Sequence, residues 1–165
     1  MRTVAVFTLI ALFAVVLQTT VLPLFRVGRA TPDLLLIICV YLGLHQHSVF
    51  GAIGAFVLGY LQDAFSGGAI GLNAFGMCLV FGIVYLTSRR LWVDNALSKV
   101  VVVFLASVVK TTAILALVTV FMSVEGLWRT ILSYLLIDAS LAAILSPAVF
   151  AVLSRTQLLA QVEEE

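Results

Sequence analysis

The sequence predicts an all-α fold, a compact bundle of six transmembrane helices forming one domain over residues 1–165. Three observations carry that expectation. The chain is 63% hydrophobic and 10% charged, with a mean hydropathy of +1.22. Soluble domains are roughly half apolar and a quarter charged. The apolar residues fall into six segments, residues 3–25, 32–44, 49–65, 70–86, 100–122 and 131–153, with only short polar breaks between them. Finally, an acid and a glycine-rich break, Asp63 to Asn73, interrupt an otherwise lipid-compatible sequence, and such groups are expensive inside a membrane and rarely accidental.

The first segment follows Met1-Arg2 and is longer than a signal-peptide core, so it reads as an uncleaved first span. Gln18, with Thr19 and Thr20, is polar within it and reads as an interhelical hydrogen-bonding group. The second segment opens on Thr31-Pro32-Asp33, an N-cap and first turn with the acid near the positive helix end. It is short, and a five-span alternative places one irregular span in residues 32–65. The polar break His45-Gln46-His47-Ser48 favours two spans. In the third segment Gly51, Ala55 and Gly59 recur every four residues, a face on which another helix approaches closely, and Asp63 continues that face.

The fourth segment follows Ser66-Gly67-Gly68 and Gly71, with Asn73 as its candidate cap. The fifth carries Lys110 near its middle. The sixth carries Asp138 about two turns in, and Pro147, which predicts a kink. About 20 residues cross a ~30 Å apolar layer. The second to fourth segments fall short of that, so they either thin the bilayer or are shielded by longer neighbours. Trp92, Trp128, Tyr85 and Tyr134 fall near span ends, where aromatic belts sit. With the N-terminus inside, the inner loops hold Arg2, Arg89, Arg90, Lys99 and Arg155 and the outer ones Arg26, Arg29 and Arg129. That bias places both termini in the cytoplasm. The Glu163–Glu165 tail reads as a solvated end.

A net charge of +1 offers no basic patch for nucleic acid. Cys39 and Cys78 both lie in apolar runs and read as packing residues. His45 and His47 are two apart and point away from each other on a helix, so no metal site is expected. Nucleophile-elbow, zinc-protease and phosphate-loop motifs are missing from the sequence, and Asp63 and Asp138 lack the flanks of an aspartyl protease. The expectation is a non-enzymatic chain without a cofactor.

Lys110, Asp63 and Asp138 are ionisable residues inside apolar segments. Lys110 is expected to face the bundle interior and be neutralised by Asp138 or Asp63. Its role is then a structural ion pair, an ion relay, or a contact to a partner or water-filled cavity. Asp33, Asp63 and Asn73, with Arg26, Arg29, Glu125 and Arg129, are expected around an outer polar mouth.

Pro32-Asp33-Leu34-Leu35-Leu36, followed by Gly51, Gly59-Tyr-Leu-Gln-Asp63-Ala-Phe-Ser66-Gly67 and Gly71-Leu72-Asn73-Ala74, resembles the MreD family of bacterial rod shape-determining membrane proteins. The resemblance implies a subunit of the cell-elongation and peptidoglycan-synthesis machinery in the bacterial cytoplasmic membrane. Its implied partner is MreC, a bitopic protein, with indirect links to MreB, RodA and the elongation transpeptidase, and membrane lipid around it. The family pattern maps onto Pro32, Asp33, Asp63, Ser66, Gly67, Gly71 and Asn73, with Asp63 and Ser66 fixing the turn between the third and fourth spans. The family also looks similar to the six-helix substrate-binding subunits of energy-coupling-factor transporters. That likeness implies the alternative, a small-solute-binding subunit.

Overall fold

The computed structural model describes residues 10–21, 32–45, 49–67, 70–88, 95–122 and 127–162. Six helices follow in order. α1 covers residues 10–16 and runs into one π-helical turn at Leu17–Val21. α2 is Leu34–His45, α3 Val49–Ser66, α4 Leu72–Ser88, α5 Ala96–Met122 and α6 Leu127–Val162. Three helices, Val49–Ser66, Leu97–Val120 and Leu135–Arg155, are long and apolar enough to cross a membrane; α2 and α4 are shorter apolar helices. Arg2, Arg26, Arg29, Thr31, His47, Arg89, Arg90, Trp92, Glu125 and Glu163–Glu165 lie outside the described residues.

α2 is the centre. Its sequence, LLLIICVYLGLH, is apolar on every side, and each residue from Leu35 to Gly43 is buried. A helix that is hydrophobic all round belongs inside a core. α3, α4, α5 and α6 pack around it, with α3 against α4 and α5 against α6. Each outer helix turns one stripe inward. On α3 that stripe is Gly51, Ala55, Leu58, Gly59 and Asp63, at helical spacing. The opposite face, with Phe50, Ile53, Phe56 and Val57, is exposed, as a lipid-facing surface is.

The small residues of α3 set its distance to α4. A Cβ on Gly59 would lie 2.4 Å from Ala74 Cα and 2.6 Å from Asn73 O. Both atoms are backbone, so no side-chain movement relieves the clash. The Gly51, Ala55 and Gly59 face therefore packs within the bundle. Gly67 has φ +66°, the left-handed conformation that ends α3, and Gly71 has φ +103° just before α4.

α6 is longer than the sequence predicts, extending past residues 131–153 at both ends, and Pro147 sits inside it without ending it. Proline lacks the N–H that would bond the carbonyl four residues back. Here that carbonyl belongs to Ala143, and it accepts a hydrogen bond from Ser146 Oγ at 2.7 Å. The serine beside the proline supplies the missing donor.

Gly59→Ala is expected to lower stability by about 1–3 kcal/mol, the usual effect of overpacking. Gly82→Ala, where a Cβ meets nothing within 4 Å, is expected to be neutral. Thermal unfolding of the two variants in one detergent checks the contrast.

Candidate functional site

At its N-terminus α2 leaves backbone N–H groups without helical partners. Asp33 stands at the cap position, and its Oδ1 accepts the Leu36 N–H at 3.1 Å. Thr31 was the expected cap; Asp33 takes that place because the helix begins at Leu34. The other carboxylate oxygen, Oδ2, lies 2.5 Å from Lys110 Nζ and accepts a hydrogen bond from Gln62 Nε2 at 3.1 Å. Lys110 Nζ also donates to Gln62 Oε1 at 2.7 Å. The three side chains close a ring among α2, α3 and α5, and Lys110 and Asp33 are 77 positions apart in sequence. Side-chain exposure is 6% for Lys110 and 19% for Asp33, so this pair is shielded rather than a screened surface contact. Gly76 makes room for it: a Cβ there would lie 3.1 Å from Lys110 Cγ.

The partner of Lys110 is thus Asp33, in place of the expected Asp138 or Asp63. Asp63 is already saturated. Its Oδ1 accepts from Asn73 N and Asn73 Nδ2, both at 3.0 Å. Its Oδ2 accepts from Gly71 N at 2.9 Å and Ala74 N at 3.1 Å. The carboxylate on the last turn of α3 is therefore the N-terminal cap of α4, where the helix dipole favours an anion. Asn73 does not cap α4 itself; it lies inside the first turn and donates to the acid that does. Ser66 Oγ donates to Asp63 O at 3.2 Å. Pro32 is buried just before the Asp33 cap.

Beside the Asp33–Gln62–Lys110 ring lies a cavity of about 300 Å³ between the helices. Asp138 of α6 and Asn73 of α4 line it, with Gln18, Ser107 and Thr111, above an apolar patch that includes Ile114 and Val118. The hydroxyls here differ from most Ser and Thr of the longer helices. Thr87, Thr112 and Thr119 return their protons to carbonyls four residues back, all at 2.7 Å. Ser146 and Ser154 do so three residues back, and Ser140 bonds Leu136 O and Ile137 O. Such local bonds are how helical Ser and Thr are satisfied. Ser107 and Thr111 make none among the described residues, which leaves their hydroxyls to the cavity. Gln18, expected to form an interhelical hydrogen bond, has its Oε1 buried with no partner among the described residues. It sits on the π turn of α1, and such turns recur at functional sites.

The arrangement does two things. It pins four helix segments with charge and hydrogen bonds, and it leaves hydrogen-bonding capacity facing a space large enough for several waters or a small polar molecule. Gln62, Ser107 and Thr111 were not singled out in the sequence, and Gln18 was read there only as an interhelical hydrogen-bonding group. Ser107, Lys110 and Thr111 fall at i, i+3 and i+4, one helix face inside an apolar run, and that spacing was the available signal.

Lys110→Met is expected to destabilise the fold by about 3–5 kcal/mol, because it leaves the Asp33 charge buried and unpaired. Adding Asp33→Asn, which keeps an oxygen for the Leu36 N–H, is expected to recover most of that loss. Equilibrium unfolding of both variants gives the comparison.

The family model described as rod shape-determining protein MreD matches residues 1–156. No curated protein and no solved structure matches the chain. The match covers nearly the whole sequence, including the Asp33, Asp63–Asn73 and Lys110 positions from which the site is built, and the chain belongs to the MreD family of rod shape-determining membrane proteins.

Proposed function

We propose that this chain is a non-enzymatic scaffold subunit of the bacterial cell-elongation machinery. In this reading it binds and stabilises an MreC-like bitopic protein, and through it connects to MreB, RodA and the elongation transpeptidase that build peptidoglycan. It lies in the cytoplasmic membrane as a six-span bundle of the kind seen in energy-coupling-factor substrate-binding subunits, with both termini cytoplasmic. Family membership supports a role in rod shape.

The observation that carries the scaffold reading is the state of Asp63. A carboxylate 2% exposed and accepting four hydrogen bonds has no lone pair poised for proton transfer or attack. Lys110 is held by Asp33 and Gln62 in the same way. These ionisable groups are engaged in geometry: the Asp33–Lys110 pair ties α2 to α5, and Asp63 holds the α3–α4 turn. At that turn Phe65 is 59% and Ile70 75% exposed, two large apolar side chains flanking a fixed polar tip. The partner docks on this tip, with Ser66, Gly67 and Gly71 shaping it.

Asp63→Ala frees three backbone N–H groups and one amide, and is expected to sharply reduce copurification of the bitopic partner. Phe65→Ser with Ile70→Ser keeps the cap and is expected to weaken the partner without unfolding the chain. Unchanged complex yield and cell shape in both variants would sink the assignment to this turn.

A second reading, a small-solute-binding subunit, is favoured by the cavity beside Lys110 with its unpartnered Gln18 Oε1. It predicts that mild solubilisation retains a small polar molecule and that Ser107→Val with Thr111→Val releases it, read by native mass spectrometry.

A further inference from the structure

The C-terminal end of α2 holds a second cavity of about 260 Å³, bounded by Tyr41 and His45 of α2, Lys99 of α5 and Pro147, Phe150 and Ser154 of α6. We propose that this notch binds the phosphate-bearing headgroup of an anionic lipid. The proposal is independent of the scaffold and solute readings, since it uses none of their residues.

The charge pattern is the first reason. No Asp or Glu lines the notch. Lys99 has no carboxylate partner among the described residues, while Lys110, eleven positions on along the same helix, has one at 2.5 Å. What Lys99 Nζ does have is the Phe150 ring, 5.7 Å from its centroid. That places the ammonium over the wall of the notch with its hydrogen-bond donors unspent among the described residues. Lys99 also lies in the first turn of α5, whose N-terminal N–H groups add partial positive charge.

The walls are the second reason. The rings of Tyr41 and Phe150 meet edge to face at 5.3 Å, and His45 stacks on Tyr41 at 4.2 Å. Carbonyls at the end of α2 would repel an anion, and two of them are covered. Tyr41 O accepts from His45 Nδ1 at 3.1 Å, and Gly43 O is approached by Ser88 Oγ at 3.4 Å. The notch is open on its α6 side, where Pro147, Ala151 and Ser154 are exposed. These residues lie in a stretch apolar and long enough to cross a membrane, so the opening faces lipid. An aromatic floor beneath an unpaired cation, opening towards lipid between helices, fits a phosphate diester with its glycerol stem along the apolar wall.

The test uses the purified full-length protein in detergent, titrated separately with phosphatidylglycerol, phosphatidylcholine and inorganic phosphate and read by native mass spectrometry. One retained phosphatidylglycerol per chain, in preference to phosphatidylcholine, is expected. Lys99→Gln should weaken that retention about five-fold or more, the effect of one lysine on an anionic headgroup. Ala151→Phe, which fills the notch and keeps Lys99, should weaken it as much, so the proposal does not hang on one variant's folding. Arg155→Gln removes an equal charge just outside the notch and should leave retention unchanged. Displacement by millimolar inorganic phosphate would support the phosphate chemistry and assign it to a soluble source. Equal losses in Lys99→Gln and Arg155→Gln would mean diffuse interfacial attraction and overturn the proposal. So would equal retention of the two lipids, or a protein's acidic segment occupying the notch.

Discussion

The constraint on which this bundle depends is the length of its central helix. α2 has 12 residues and is about 18 Å long at 1.5 Å per residue, against an apolar layer of about 30 Å. It is buried from Leu35 to Gly43, and its start at Asp33 and Leu34 is half-buried while His45 at its other end is exposed, so it is the unpaired N–H groups of its first turn that fall within the bundle. Unsatisfied backbone groups there cost several kcal/mol each. The ion pair of the core follows from that problem. Asp33 answers it by accepting the Leu36 N–H. The charge of Asp33 then requires Lys110, the lysine stem requires the open space at Gly76, and Gln62 bridges the two.

Two acids cap two helices, and the difference between them explains why only one has a lysine. Asp63 receives three backbone N–H groups and one side-chain amide. Hydrogen bonds to a charged group are worth about 1.5–3 kcal/mol each, so four of them hold the carboxylate without a counter-ion. Asp33 receives one backbone N–H and one amide, Leu36 and Gln62. Two neutral donors do not replace the water a carboxylate loses, and the remaining compensation comes as an ammonium. The pair ties α2 to α5 as a consequence of capping α2, while Asp63 ties α3 to α4 directly.

The parts of this fold legible in the sequence were local. Helical segments followed from apolar runs. The turn joining α3 to α4 was marked by Asp63, Ser66, Gly67, Gly71 and Asn73, because acid, glycines and amide lie within eleven residues of one another. The pairing of Lys110 was not legible in the same way. Asp33 was read as sitting at an outer surface, since a helix start is ordinarily at the membrane face. The brevity of the second segment held the missing information: a short helix that is fully buried has its start deep in the bundle, within reach of a lysine mid-way along a 27-residue neighbour. Asn73 was misread as a cap because capping residues are sought in the helix's own sequence, and here the cap comes from the preceding helix. The length of α6 was underestimated because its span was drawn from the apolar run 131–153, whereas the helix continues into polar sequence at both ends and Ser146 serves the carbonyl that Pro147 leaves without a donor.

The two ends of α2 differ in a way that bears on what the bundle does. At the Asp33 end the cation is matched by an anion, and the cavity beside the pair is lined by hydrogen-bonding groups, the Gln18 carbonyl, the Ser107 and Thr111 hydroxyls and the Asp138 carboxyl. At the His45 end the cation has no carboxylate partner among the described residues, and the remaining lining is aromatic, hydroxyl or aliphatic. A hydrogen-bonding space that also holds an acid suits water or a polar group, and one whose charged side chain is a lysine suits an anion. The ion pair at the first end also fixes α5 against α2, and Lys99 and Lys110 ride on the same helix. The ion pair is one of the contacts that fix α5, and with it the backbone that carries Lys99, since α5 also packs against α4 and α6.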